Sequence, residues 1–241
     1  DLAKGIDPRL PKLAPTLTEY SDEYLAGVKR TCRDATHSAR ESLLRVHILP
    51  QLGSVRLDQL RSRHVLKLRD AMAETCGPGT TRNAITTLRH MVRAWYTARD
   101  EQGPLLTGQV RRYNPAPKFY SAAEIEKLIA AAREHEPMVL ALVLLGADAG
   151  LRCGEMTALR WGDLAEGWIN VSRSRSPCGR TEGPTKSGRE RQVPMTARLV
   201  AALEALPRSD EDDHVLLVDG AGANHTHARR RLAKAQVTAG I

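Results

Sequence analysis

Apolar side chains recur every three or four residues in four stretches of the N-terminal part of the chain, which is the spacing of an amphipathic α-helix. The stretches run from Leu17 to Val28, from Leu43 to Leu49 before Pro50, from Val65 to Met72, and from Ile85 to Trp95. Glycine and proline at 77–79 separate the last two, because both residues interrupt a helix. The pattern predicts a four-helix unit over residues 14–100, preceded by an N-terminal extension over residues 1–13.

The helical spacing is lost between residues 101 and 117. The stretches E-Q-G-P at 101–104 and N-P-A-P at 114–117 are rich in residues that favour turns. Loops longer than about 12–15 residues are uncommon inside a compact domain. We therefore predict a linker over residues 101–117 and a second domain over residues 118–241.

The second domain alternates helical and extended patterns. Ser121 and Glu124 have the spacing of a capping box, and a buried helix is predicted over 138–149, with Gly150 placed to end it. Strands are predicted at 168–171 and 191–194 with a polar hairpin or short sheet between them, and helices at 196–206 and about 224–239. The predicted fold class is mainly α with a small antiparallel β-sheet, in two domains.

Composition narrows the possible functions. The 241 residues include 36 Lys and Arg against 28 Asp and Glu, a formal net charge of +8. Because summed positive charge attracts phosphate, nucleic acid is the first partner to consider. No apolar run approaches the roughly 18–20 residues that span a bilayer, and no export signal is visible, so we expect a cytoplasmic protein that does not enter a membrane.

Metal and cofactor sites are not indicated. The four cysteines, Cys32, Cys76, Cys153 and Cys178, form no C-x-x-C pair and predict neither a zinc ribbon nor a disulfide framework. No histidine pair or carboxylate cluster has metal-ligand spacing, and there is no Walker-type loop. We expect no metal and no cofactor.

Basic residues lie between the apolar positions of the third and fourth predicted helices. A solvated charged face and a phosphate-binding face are both open for such positions. Two threonines after the Gly-Pro-Gly turn offer hydroxyl and free N–H groups at a helix N-terminus. The candidate nucleic-acid contacts are Arg61, Arg63, Lys67, Thr80, Thr81, Arg82, Arg89 and Arg93 here, and Arg189, Arg191, Arg229 and Arg230 in the second domain.

One segment places an arginine directly after the buried helix, in the order Gly150-Leu151-Arg152. Its guanidinium is planar and permanently charged, and its donors match two oxygens of one phosphate. The alternative is a structural ion pair with Glu155 on the next helix. The spacing alone leaves both interpretations open.

The same segment continues with Leu159, Trp161 and Asp163. Together with Gly150, Arg152 and Glu155, these residues resemble the first active-site box of the tyrosine recombinase (phage integrase) family, T-G-x-R-x-x-E-x-x-x-L-x-W-x-D, with Ala149 in place of threonine. The segment from Thr185-Lys186 to Val193-Pro194 is similar to the hairpin lysine segment of that family. Residues 14–100 resemble its core-binding domain, so the resemblance extends over nearly the whole chain.

The resemblance implies site-specific DNA recombination through a 3′-phosphotyrosyl intermediate, without a high-energy cofactor. Arg152 would bind a non-bridging oxygen of the scissile phosphate and stabilise the charge of the transition state. Lys186 would be the general acid that protonates the leaving 5′-oxygen, a role that arginine cannot take. The implied partner is duplex DNA with inverted-repeat core sites, clamped between the two domains and bound by dimers and tetramers of the chain.

The H-x-x-R box and the nucleophilic tyrosine of the family have no match. All five tyrosines precede Arg152, and His227-Ala-Arg-Arg230 follows Lys186 too closely to be that box. We therefore expect a recombinase that is incomplete at its C-terminus, whose 241 residues bind duplex DNA without cleaving it. A non-catalytic relative that occupies recombination sites is one alternative. A basic helical protein with another partner, such as RNA, is a second.

Overall fold

The computed structural model describes residues 13–110, 116, 119–177, 181–208 and 210–241. The chain divides into two compact units, Asp1–Ala116 and Pro117–Ile241, and each has its own hydrophobic core. The predicted fold class, mainly helical with small antiparallel sheets, is confirmed. No helix in the described ranges has the length and apolar character needed to cross a bilayer.

The first unit contains the four predicted helical stretches. A capping box starts the first of them, where the Thr16 hydroxyl accepts the Glu19 N–H at 3.2 Å and the Glu19 carboxylate accepts the Thr16 N–H at 2.7 Å. The elements are α1 Leu17–Thr31, α2 Asp34–Leu43, a π-helical turn Leu44–Ile48, α3 Leu49–Leu52, a 3₁₀ turn Leu57–Gln59, α4 Ser62–Ala73 and α5 Pro78–Thr97. Their apolar faces form the core of this unit.

The sequence predicts that the second helical stretch ends before Pro50, but the helix continues past this residue. A π-helical turn over Leu44–Ile48 leads directly into α3, and Pro50 lies in the first turn of α3. Proline has no N–H to donate, and the first turn of a helix does not require one. The helical path therefore continues to Leu52.

Residues 101–110, within the predicted linker, have no regular secondary structure but pack on the first unit. Leu106 is buried in its core. The Arg89 guanidinium donates from Nε to the Leu106 carbonyl at 2.9 Å and from Nη2 to the Gly108 carbonyl at 2.8 Å. The apolar pair at 105–106 is too short to show a period, so this packing was not predictable from the pattern of apolar residues. The rest of the predicted linker, apart from Ala116, lies outside the described residues.

The second unit places four longer helices around its core. A capping box starts the first of them, as predicted, with the Ser121 hydroxyl accepting the Glu124 N–H at 3.2 Å. The elements are α6 Ala122–Ala132, α7 Pro137–Ala147, α8 Cys153–Met156, a 3₁₀ turn Trp161–Asp163, β1 Leu164–Ala165, β2 Trp168–Val171, β3 Arg173–Arg175, β4 Glu182–Pro184, β5 Arg191–Pro194, α9 Ala197–Glu204, β6 Leu217–Val218, β7 Ala221–Gly222 and α10 His225–Ala239.

Antiparallel pairing joins the strands into three small sheets within the described residues. The predicted strands β2 and β5 are confirmed and pair with Ile169 opposite Val193, with β1 on the other side of β2. β3 pairs with β4, with Arg175 opposite Glu182, and β6 pairs with β7. The sequence did not predict β1, β6 or β7, because two residues cannot show an alternating pattern.

Candidate functional site

Arg152 lies on the turn between the buried helix α7 and the short helix α8. Gly150 reverses the chain with a φ of 62°, a conformation that favours glycine, and the Leu151 N–H donates to the Leu145 carbonyl at 3.0 Å. The Arg152 N–H donates to the Glu155 carboxylate at 2.9 Å at the start of α8. The backbone of Arg152 is thus fixed, while 62% of its side chain is exposed.

Glu155 is the centre of an ion network around this turn. Its side chain is only 1% exposed and accepts from Arg152 Nη1 at 3.0 Å and from Arg191 Nη1 and Nη2 at 3.1 and 2.7 Å. Burial alone raises the pKa of the Glu155 carboxyl, but the hydrogen bonds from Arg191 and Arg152 outweigh it and bring the pKa to about 2. The structural pair of Arg152 with Glu155 therefore exists, and it uses one guanidinium nitrogen.

A second ion pair, which the sequence did not reveal, fixes the end of α7. The Asp148 side chain is 4% exposed and accepts from Arg198 Nε and Nη2 at 2.7 and 2.6 Å and from the Thr196 hydroxyl at 2.6 Å. These hydrogen bonds, chiefly those from Arg198, lower the pKa of the Asp148 carboxyl. The pair joins the chain just before the Arg152 turn to the start of α9.

Lys186 lies in the turn between β4 and β5. The Thr185 side chain is buried and its hydroxyl donates to the Arg189 carbonyl at 2.8 Å, while the Gly188 N–H donates to the Thr185 carbonyl at 2.9 Å. Gly188 has a φ of 70°, which favours glycine. Lys186 itself is exposed and has no hydrogen bond or ion pair with any described residue.

Glu182 fixes the strand that leads into the Lys186 turn. Its carboxylate accepts from Arg175 Nε and Nη2 at 3.0 and 2.6 Å and from Arg160 Nη2 at 3.2 Å, and His214 Nε2 lies 2.7 Å away. Burial raises the pKa of Glu182, but the hydrogen bonds from His214, Arg175 and Arg160 prevail and bring the pKa to about 2. The cluster ties β4 to β3 and to the loop that carries His214.

The acid response of this cluster is predictable. The pKa of Glu182 is near its ordinary value of 4.5 in the unfolded chain and about 2 in the folded chain. The ionised carboxylate therefore stabilises the folded state above pH 4.5, and this contribution is lost as the pH falls toward 2. We expect Glu182→Gln to lower the free energy of unfolding at neutral pH. The difference in unfolding free energy between this variant and the unmodified chain, which we call the gap, should narrow as the pH falls from 4.5 toward 2. Urea unfolding at a series of pH values measures the gap. A gap that stays constant would contradict the prediction.

The other residues of the first box pack in the core or form hydrogen bonds within the fold. Leu159 and Trp161 are buried in the core, and the Asp163 carboxylate accepts the Arg160 N–H at 2.9 Å and Arg173 Nη2 at 3.2 Å. In the part of the chain that the structure describes, no group of three or more His, Cys, Asp and Glu side chains is placed to hold a metal ion.

Most of the candidate nucleic-acid contacts have no side-chain partner among the described residues. Arg61 is exposed, and within the described residues its side chain donates from Nη1 alone, to the carbonyls of Asp58 and Leu60 at 2.8 and 2.9 Å. Arg82 is half-buried, and its Nε is buried without a partner among the described residues. The exposed candidates that have no hydrogen bond or ion pair with any described residue are Arg63, Lys67, Thr80, Arg93, Arg189, Arg229 and Arg230.

Three candidates are instead engaged with the protein. Thr81 is buried, and its hydroxyl donates to the Gly77 carbonyl at 3.3 Å. Arg89 holds the backbone of residues 101–110, and Arg191 holds Glu155. Their side-chain donors are used within the fold.

Comparison with protein families gives two matches. Residues 16–73 match the phage integrase N-terminal SAM-like domain, and residues 118–241, more than half of the chain, match the phage integrase family. Comparison with curated protein sequences gives no significant match.

Solved structures share the fold at low sequence identity. A lambda integrase tetramer bound to a Holliday junction aligns with 100% of this chain and 74% of that chain, with a TM-score of 0.73 and 14% identity. A lambda integrase dimer bound to a COC′ core site aligns with 95% of this chain and 65% of that chain, with a TM-score of 0.73 and 16% identity. The Tn1549 transposon integrase in complex with transposon right end DNA aligns with 91% and 78%, with a TM-score of 0.70 and 20% identity. The chain belongs to the phage integrase family of tyrosine recombinases.

Proposed function

We propose that the chain takes part in site-specific DNA recombination, in which strands are cleaved and rejoined through a 3′-phosphotyrosyl intermediate. The observation that carries the proposal is the Arg152 side chain, which is held at one nitrogen by buried Glu155 while 62% of it is exposed. A phosphate that binds Arg152 therefore contacts a guanidinium that Glu155 already holds in position. Such preorganised charge is what stabilises a transition state in which negative charge accumulates.

Lys186 is the proposed general acid for the leaving 5′-oxygen. It is exposed and unpaired among the described residues, and it stands on a turn whose backbone is held by Thr185 and Gly188. The nearby arginines, Arg189 in the turn and Arg191 at the start of β5, cannot release a proton near neutral pH. Lysine can, so it is the side chain in this turn suited to proton transfer.

The proposed DNA contacts are the candidates that keep side-chain donors free of the described residues; Arg61 uses only Nη1 among them. In the first unit they lie on α4, at the residue directly before it, and on α5. In the second unit they lie on the Lys186 turn and on α10. Each cation that neutralises a phosphate adds to the affinity and to its salt dependence. The proposed contacts are Arg61, Arg63, Lys67, Thr80, Arg82, Arg93, Arg189, Arg229 and Arg230.

Self-association on DNA is the remaining part of the proposal. Two lambda integrase structures with this fold are a dimer on a core site and a tetramer on a Holliday junction. We infer that this chain likewise occupies inverted-repeat core sites as a dimer and pairs two such sites as a tetramer. A two-fold symmetric dimer matches an inverted repeat because both have the same symmetry.

The 241 residues are expected to bind duplex DNA without cleaving it. No tyrosine follows Arg152 among them, and Tyr120, the one tyrosine of residues 119–241, has its hydroxyl engaged by the Gln236 side chain on α10. In a tyrosine recombinase the nucleophile must reach the phosphate that the arginine holds.

One binding experiment tests both duplex binding and the expected absence of cleavage. We expect the chain to bind a labelled duplex of about 30 base pairs at low salt, and log K to fall with log salt by about 0.9 for each phosphate contacted. Arg152→Gln should reduce both the affinity and that slope, since it removes one phosphate contact. Denaturing gels of the same mixtures should show no covalent adduct.

The matched control is Glu190→Gln, because Glu190 is exposed and has no hydrogen bond or ion pair with any described residue. It should leave the salt slope unchanged. Salt-independent binding, or tighter binding to an RNA duplex of the same sequence, would count against DNA as the partner. A covalent adduct would overturn the expectation of binding without cleavage, and the adducted residue would be the nucleophile.

A further inference from the structure

We propose that Arg191 is a positioning residue: by holding the Glu155 carboxylate, it couples the turn of Lys186 to the turn of Arg152. This inference rests on the proposed function, because it assigns Arg191 a part in the binding of the scissile phosphate. The sequence groups Arg191 with the basic residues of the hairpin as a candidate nucleic-acid contact. The structure gives its guanidinium another partner.

The Arg191 guanidinium faces a carboxylate rather than solvent. Nη1 and Nη2 donate to the two oxygens of Glu155 at 3.1 and 2.7 Å, a bidentate pair that fixes both distance and orientation. The Arg191 side chain is 34% exposed, against 62% for Arg152. Among the described residues, Arg191 thus donates to Glu155 from two guanidinium nitrogens, Nη1 and Nη2, and Arg152 from one, Nη1.

The pair connects two elements that are distant in sequence. Arg191 begins β5, where it lies opposite Val171 in the sheet and five residues after Lys186. Glu155 lies in α8, which Arg152 starts. Holding Glu155 through Arg191 therefore fixes the distance between the start of β5 and the Arg152 turn.

Charge balance gives Arg191 a second effect. Arg152 Nη1 and Arg191 Nη1 both donate to Oε1 of Glu155, at 3.0 and 3.1 Å. Two arginines and one carboxylate leave one net positive charge for a phosphate. Without Arg191, Glu155 would be a single anion beside a single cation, and it would compete with the phosphate for Arg152.

Arg189 is the matched comparison for Arg191. It lies two residues before Arg191, in the turn that leads into β5, and it is exposed. Its side chain has no hydrogen bond or ion pair with any described residue. Both substitutions to glutamine remove one positive charge from the segment between β4 and β5 or from the start of β5. Only the one at Arg191 releases Glu155.

A double-mutant cycle on duplex binding separates positioning from contact. We expect Arg191→Gln to weaken binding about 5- to 30-fold, the equivalent of one or two kcal/mol, and to cause no further loss in the Arg152→Gln background. Arg189→Gln should weaken binding by the same factor in both backgrounds and lower the salt slope by about 0.9. Arg191→Lys should not restore binding, since lysine has no bidentate fork. Equal losses from Arg191→Gln in both backgrounds would overturn the proposal.

A measurement without DNA keeps the inference separate from the proposed function. Carbon NMR of the Glu155 carboxyl should show its pKa raised from about 2 in Arg191→Gln and unchanged in Arg189→Gln. The variant Glu155→Gln/Arg191→Gln leaves no unpaired buried charge, so it supplies a folded chain for the binding assay if Arg191→Gln unfolds. Absence of duplex binding by the unmodified chain would contradict the proposed function. An unchanged pKa of Glu155 in Arg191→Gln would contradict the inference about Arg191.

Discussion

Replacement of Glu155 by alanine is expected to lower the free energy of unfolding of the second unit by about 3 kcal/mol. Removing one partner of a buried ion pair typically costs about 3–5 kcal/mol, because the remaining charge is uncompensated. The lower end applies here, since Arg152 and Arg191 are 62% and 34% exposed and regain water. The Arg152 N–H at the start of α8 also loses its acceptor. Urea unfolding, followed by the fluorescence of Trp161 and Trp168, measures the change.

Two further substitutions serve as controls for the loss of stability in Glu155→Ala. Glu190→Ala removes an exposed hairpin carboxylate with no partner among the described residues, and it should stay within about 0.5 kcal/mol of the unmodified chain. Glu155→Gln keeps acceptor and donor groups but no charge, and should fall between the two. A Glu155→Ala chain as stable as the Glu190→Ala control would show that the network does not hold the turn.

Elements with a repeated pattern were predictable from the sequence. The four helical stretches of the first unit carry buried side chains at helical spacing, and α7 is an almost continuous apolar run. The strands at 168–171 and 191–194 were predictable from the short extended segments W-I-N-V and R-Q-V-P. The capping boxes at Thr16 and Ser121 also follow from local chemistry. The two-residue strands did not, because they exist only through pairing with a neighbour.

The candidate site was predictable as a list of residues but not as a network. The first box places Arg152 and Glu155 three residues apart, so their contact follows from helix geometry. The partners Arg191 and Arg198 lie 36 and 50 residues from the carboxylates they bind. Nothing in the sequence distinguishes them from a basic residue that faces solvent, and only tertiary packing decides between these positions.

Glycine at 154 is required by a close approach of α8 to β3 and α10. A Cβ atom added at Gly154 would lie 2.5 Å from the Ser174 hydroxyl, 2.7 Å from the Arg175 carbonyl and 3.1 Å from His225 Nε2. The serine side chain can rotate away. The Arg175 carbonyl cannot, because β3 is paired with β4 and His225 Nε2 lies 3.1 Å from the same oxygen.

Gly154→Ala is therefore expected to cost about 1–3 kcal/mol of unfolding free energy, the usual penalty for an extra methyl group in a packed contact. It should also weaken duplex binding, since α8 must shift and Arg152 and Glu155 flank the substituted position. Gly183→Ala on β4 is the control, because no atom of the described residues lies within 4 Å of its added Cβ. Chemical unfolding and duplex titration of both variants measure the two effects. Equal stability of the two variants would show that α8 can move away from β3 without cost, and that the backbone contact does not set the position of Arg152.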